Sequence, residues 1–147
     1  MVLVRPCMID DFEELRELVK EFHDEAFNEY GLKFDNDSVL KTIEEHYREC
    51  LLLIKDNELV GAIAGQIVNA PLDNNKIFQE MMWYVKKEHR SHGGRLLKEL
   101  ESRCRDRGVV AIIMVAIGSS MAERLNKYYN RLGYKHLETH YIKALGV

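Results

Sequence analysis

The chain has 147 residues, 46% hydrophobic and 31% charged, and a formal net charge of −3. This length and composition describe a single globular domain spanning 1–147, large enough for a real core. The mild negative charge excludes a global drive toward nucleic acid or an anionic membrane, so any anion site has to be local. No apolar run approaches the roughly 20 residues that a membrane-crossing helix needs.

The opening Met1-Val-Leu-Val-Arg-Pro6 has an early arginine but neither a long apolar core nor a small-residue cleavage site, so no secretory signal is expected. Val2 to Val4 reads as a short first strand stopped by Pro6. Asp10 with Glu13 gives a capping-box pattern, and Phe12, Leu15, Val19, Phe22 and Ala26 follow at helical spacing, which predicts a helix to about Phe27. A connection from Asn28 to Asp37 leads to a second helix with Leu40, Ile43 and Tyr47 on one face.

Cys50 to Ile54 is a compact apolar strand, and Lys55-Asp-Asn-Glu58 reads as a hairpin turn into a return strand, Leu59 to Val68. Gly61 and Gly65 mark bulge positions in that strand. A polar loop, Asn69 to Lys76, precedes a strand from Ile77 to Val85. A helix then runs to Gly108 behind a basic last turn. Val109 to Ile117 is a continuous apolar run, as in a strand covered on both faces. Ser120 with Glu123 makes another capping box before a last helix with Leu125, Tyr128 and Leu132 as its apolar face, closed by Gly133. Lys135 to Leu145 alternates weakly and predicts a final strand. The order is β-α-α-β-β-β-α-β-α-β, a mixed α/β domain. Cys7, Cys50 and Cys104 are odd in number and sit in apolar or helical stretches, which fits buried thiols in a reducing cytoplasm.

The most informative segment is Tyr84-Val-Lys-Lys-Glu-His-Arg-Ser-His-Gly-Gly-Arg95. A strand empties into a basic, glycine-bearing loop that becomes the first turn of a helix. Backbone N–H groups gather there at the positive end of a helix dipole, a ready site for phosphate. Arg90 and Arg95 frame it with forked donors that suit phosphate oxygens. His89 and His92 form a His-x-x-His, but no cysteine or carboxylate cluster completes a ligand set, so no metal is expected. His136 and His140 fall on one face of the predicted last strand and read as surface or groove residues.

With these elements in place the chain resembles the GNAT superfamily of acetyl-CoA-dependent N-acetyltransferases over nearly its whole length. Arg90-Ser-His-Gly93 is similar to the start of the family's Arg/Gln-x-x-Gly-x-Gly/Ala, which binds the pyrophosphate of coenzyme A; Arg95 stands where the family has its next small residue, with Gly94 one place early. Tyr129-Asn-Arg-Leu-Gly-Tyr134 resembles the family's Tyr-x-x-x-Gly-Phe/Tyr at the end of the last helix.

The resemblance implies a mostly antiparallel mixed sheet with flanking helices. It also implies acetyl-CoA as cosubstrate, lying where the fourth and fifth strands splay apart. Ser91, His92, Gly93, Gly94 and Arg95, with Arg90, would hold its pyrophosphate. Backbone donors at Trp83, Tyr84 and Val85 would receive the thioester carbonyl, an oxyanion-hole arrangement. Ser120 would lie at the place after the fifth strand where relatives carry a cofactor-contacting Asn, and Asn126 could reach the pantetheine arm. Tyr129 would protonate the leaving thiolate and Glu80 would serve as base, since an alkylamine of pKa about 10.4 must lose a proton to attack. Period-two alternation places Glu80 with Met82 and Tyr84; a solvent-facing strand residue is the other reading of it. Tyr128 continues the Leu125/Leu132 stripe into the core, which leaves Tyr129 for the cleft.

The acceptor expected is a small-molecule or peptide primary amine. Asp24, Glu25, Glu29 and Asp35, near the groove wall, suggest a cationic one. The same scaffold could serve instead as a non-catalytic acyl-CoA-binding or regulatory module. A nucleic-acid partner is not expected, since the charge is negative and no aromatic-rich basic strand is present. Relatives commonly dimerise, and the late strands offer a surface for a homodimer.

Overall fold

In the computed structural model, which describes residues 1–118 and 122–146, five strands form one sheet in chain order: β1 (Val2–Pro6), β2 (Cys50–Lys55), β3 (Glu58–Asn69), β4 (Lys76–Val85) and β5 (Ala111–Ile113). The first four are antiparallel neighbours, and β5 joins β4 in parallel. Helices α1 (Phe12–Ala26), α2 (Asn36–His46), α3 (Gly94–Asp106) and α4 (Ala122–Arg131) complete the fold.

Alternation along the central strands supplies two cores. Leu51, Leu53, Val60, Ile63 and Phe78 face Leu96, Leu97 and Leu100 of α3 and Tyr129 of α4. Leu52, Ile54, Ala62 and Met82 face Leu15 and Leu18 of α1 and Ile43 of α2. Strand β2 is therefore covered on both sides, which explains its unbroken apolar run. The hairpin between β2 and β3 turns on Asp56 and Asn57, both at positive φ (50° and 68°), as a type I′ turn requires.

Local chemistry differs from the sequence pattern at three places. Ahead of α1 the working acid is Asp11 rather than Asp10: its carboxylate accepts the Met8 amide at 2.8 Å and both guanidinium nitrogens of Arg5. Helix α2 is capped by Asp35, which accepts from Ser38 N at 2.9 Å, so the helix starts before Asp37. Strand β5 keeps three residues of the apolar run 109–117. Val109 donates back to Cys104 at the end of α3, and the ladder to β4 stops at the Gln79–Ile113 pair. Residues 135–146 carry no ladder pairing in the described structure; Leu137, Tyr141 and Leu145 there are exposed.

Candidate active site

The site is organised by a bulge in β4. Ala64 pairs with Met82 and Gly65 with Glu80, so Met81 is an extra residue on β4 and the facing of side chains reverses across it. This corrects the placement of Glu80 beside Met82 and Tyr84. Met82 and Tyr84 pack toward α1 and α2, whereas Glu80 shares the other face with Phe78, toward α4. Glycine is required opposite the bulge, because a Cβ on Gly65 would lie 2.2 Å from the Gln79 carbonyl oxygen.

Just before the bulge, after the Gln79–Ile113 pair, β4 and β5 part. The backbone of Val115 no longer meets a strand. Its N–H donates to Glu80 Oε1 at 3.3 Å, and its carbonyl accepts the Tyr129 hydroxyl at 3.0 Å. Glu80 is only 8% exposed, and burial pushes its carboxyl up to about 7, opposed in part by the Val115 N–H. Burial, and then the nearby Glu80 charge, push the Tyr129 hydroxyl well above the ordinary tyrosine range. Glu80 is thus a carboxyl that changes charge near neutrality, beside a phenol that holds its proton firmly.

The phase of α4 reverses the expected burial of its two tyrosines. Tyr129 is buried, with Trp83 at 6.1 Å and Tyr134 at 5.6 Å between ring centroids. Tyr128 is half-buried, and its hydroxyl lies 2.7 Å from where a Cβ on Gly94 would stand. Leu132 is exposed, so the inward positions are Leu125 and Tyr129, one helical turn apart. Gly133 ends the helix at φ 89°, and Tyr134 N donates to Tyr129 O at 2.9 Å. Tyr134 then hydrogen-bonds Glu101 of α3 at 2.8 Å, so the Tyr-x-x-x-Gly-Tyr signature also ties the two helices together.

Lys86 N donates to Val60 O at 2.8 Å, so by strand alternation the amides of Trp83 and Val85 point to the opposite edge of β4, where β5 has already departed. The amide of Tyr84 falls on the β3 side. Residues Lys87–His92 form a 3₁₀ turn rather than an open loop, and Gly93 is right-handed (φ −61°, ψ −32°), so neither demands a special backbone conformation. The amides of Gly94 and Arg95 have no backbone acceptor among the described residues.

Arg90 is committed elsewhere: its Nε donates to Val85 O at 2.9 Å and its Nη2 to both oxygens of Glu25, at 2.8 and 2.7 Å. The hydrogen bond from Arg90 holds the Glu25 carboxyl below its usual range. Glu25 is therefore engaged as an ion-pair partner and Asp35 as a helix cap. Arg95 and Ser91 are exposed, His92 is half-buried, and Asn126 is exposed on α4. Ser120 lies outside the described residues.

Coenzyme A fits the donors present. Gly93 is buried, and a Cβ there would stand 3.3 Å from the Arg90 carbonyl oxygen and 4.0 Å from Trp83 Nε1, itself a buried donor with no partner in the described structure. Among the described residues no group of three or more His, Cys, Asp or Glu side chains could hold a metal ion. No described helix is long and apolar enough to cross a membrane.

A mixed sheet parted at its fourth and fifth strands, with a helix N-terminus beside the gap, is the architecture of an acyl-CoA-dependent acyltransferase. The model of the Acetyltransferase (GNAT) family matches residues 12–134, and the chain belongs to that family. No curated protein matches the sequence significantly. Among solved structures, a ribosomal-protein-alanine N-acetyltransferase from Brucella melitensis superposes with a TM-score of 0.78 at 18% identity, covering 98% of this chain and 99% of its own. Aminoglycoside N-acetyltransferase AAC(6')-Iy in complex with CoA gives 0.75 at 14% identity, over 100% and 96%. An aminoglycoside acetyltransferase from an uncultured soil metagenomic sample gives 0.73 at 18%, over 99% of each chain. At these identities the likeness is one of fold.

Proposed function

We propose that the protein is an N-acetyltransferase that moves an acetyl group from acetyl-CoA to a primary amine by direct attack. The observation that carries this reading is the joint hold of Glu80 and Tyr129 on Val115, at the point where β4 and β5 separate. Acetyl-CoA supplies an activated acyl thioester. The amides of Gly94 and Arg95, the Arg95 guanidinium and the neighbouring Ser91, His92 and Gly93 form the anion site for its pyrophosphate. Arg90 acts on the same loop through Glu25 and Val85, which fix its position. The unpaired amides of Trp83 and Val85 face the gap and offer donors for a carbonyl oxygen that gains charge during transfer. Asn126 offers its side-chain amide to the pantetheine arm.

Glu80, ionising near neutrality, takes the proton of the incoming ammonium, directly or through one water. Tyr129 keeps its proton at all working pH values and delivers it to sulfur as the thiolate leaves. The relatives whose names include aminoglycoside and ribosomal-protein alanine support an amine acceptor without selecting one. Free-thiol release from acetyl-CoA on addition of polyamines, aminoglycosides, amino acids and peptides tests the proposal. Amine-dependent release supports it. Acetyl-CoA binding with no release for any amine would favour a binding or regulatory module instead.

A further inference from the structure

Two of the three cysteines face each other across the edge of the sheet. The ladder between β1 and β2 ends at Pro6 and Leu51; one residue further on, Cys7 N still donates to Cys50 O at 3.0 Å, which keeps the two cysteines side by side. Residues opposite one another in a hydrogen-bonded antiparallel pair have Cα atoms about 5.5 Å apart. That falls within the roughly 4.4–6.8 Å that a disulfide spans. Both side chains enter the same core, against Leu15 and Leu18, and each is only 3% exposed. Both are free thiols, as is Cys104, which sits in the other core on α3.

The two sulfurs are not equivalent. Each thiol donates to the carbonyl that follows it, Cys7 Sγ to Met8 O at 3.6 Å and Cys50 Sγ to Leu51 O at 3.9 Å. The neighbouring Cys50 side chain draws Cys7 below the usual thiol range, helped by the Arg5 charge; burial and Asp11 oppose the shift. Contact with Cys7 and burial push Cys50 well up. Cys7 therefore has the greater thiolate character and Cys50 stands ready as its partner. Access favours the same order. Strand β1 is the sheet's edge, and Cys7 is followed at once by the exposed Met8 and Ile9, so fraying of the strand end uncovers Cys7 first.

We infer that Cys7 and Cys50 form an oxidative modification site, a dithiol that closes to an intramolecular disulfide when the protein meets a hydroperoxide. In the first step the Cys7 thiolate attacks the peroxide oxygen, giving a sulfenic acid and, from hydrogen peroxide, one water. In the second, the Cys50 thiol attacks the Cys7 sulfur, the S–S bond forms, and the sulfenic oxygen leaves as a second water. Two thiols and one peroxide thus give one disulfide and two waters. The bridge closes a loop that contains all of α1 and α2, so it restricts the unfolded chain substantially.

The test uses the wild-type chain, reduced, desalted, treated with hydrogen peroxide, quenched, then alkylated under denaturing conditions. The inference predicts an intact mass lower by two hydrogens and a single alkylated thiol, at Cys104. It also predicts a non-reducing tryptic digest in which the Cys7 and Cys50 peptides are joined. The melting temperature should rise by several degrees and return to its starting value with dithiothreitol. Cys104→Ser should behave as wild type, and Cys50→Ser should stop at an oxygen adduct on Cys7. Three alkylated thiols after treatment, oxygen adducts on wild-type Cys7 without a cross-link, or a bridge that includes Cys104 would overturn it. None of these readouts depends on acetyl transfer.

Discussion

Glu80 and Tyr129 hold the two polar groups of one residue: Val115 donates its N–H to the Glu80 carboxylate and accepts the Tyr129 hydroxyl on its carbonyl. The loop after β5 is thus positioned by the two side chains to which chemistry is assigned. Their protonation and the local geometry are coupled.

One consequence is a pH-dependent stability. Burial disfavours the Glu80 charge and pushes the carboxyl up to about 7 in the fold, from about 4.5 in the unfolded chain. Below 4.5 the group is neutral in both states and carries no penalty. Between 4.5 and 7 the unfolded chain gives up this proton while the native state retains it, so stability falls as pH rises, by about 3 kcal/mol across that window. Urea denaturation at pH 5 and pH 8 should show this decline in the wild type and a smaller one in Glu80→Gln. Equal declines would place the titration elsewhere.

Tyr129→Phe removes both the proton donor and the bond to Val115 O. Turnover should fall about 10²-fold or more if the hydroxyl protonates sulfur, with acetyl-CoA affinity little changed. The lost hydrogen bond should cost about 1 kcal/mol in stability. Tyr128→Phe, whose hydroxyl lies by Gly94, serves as the comparison. Turnover that survives in Tyr129→Phe and fails in Tyr128→Phe would transfer the role.

Gly65→Ala tests the bulge. The new methyl would meet the Gln79 carbonyl oxygen at 2.2 Å and the Phe78 ring at 2.5 Å, so β4 must shift or the bulge must open. The expected cost is about 1–3 kcal/mol or more by chemical denaturation, accompanied by a displaced Glu80 and reduced turnover. Full stability in Gly65→Ala would show that β3 and β4 adjust freely.

The two arginines of the basic loop should separate. Arg95 is exposed at the first turn of α3 with no ion-pair partner among the described residues, so Arg95→Ala should weaken coenzyme A binding roughly tenfold and flatten its salt dependence. Arg90 is spent on Glu25 and Val85, so Arg90→Ala should have the smaller effect on affinity, and Glu25→Ala should resemble it. Titration calorimetry at two salt concentrations distinguishes them.

Element order and most element types were legible because they rest on local patterns: helical spacing in α1, the doubly buried run of β2, the turn pair Asp56-Asn57 and the stop at Gly133. The site was legible at the level of segments. The facing of its side chains was not. The bulge at Met81 leaves no mark in β4 itself, and its one signal is Gly65 on the neighbouring strand. The phase of α4 departs from its apolar pattern because Leu132, a residue of core type, is exposed, whereas Tyr129 carries the burial. The Arg90–Glu25 pair joins positions 65 residues apart, and nothing local announces it.

The most direct test of the account is the pH dependence of kcat/KM for wild type and Glu80→Gln with a reactive amine acceptor. Wild-type activity should rise with pH through an apparent pKa near 7, that of the Glu80 carboxyl. Glu80→Gln should lose that limb and fall by about 10²-fold or more. An unchanged limb in Glu80→Gln would contradict the assignment of Glu80 as the base.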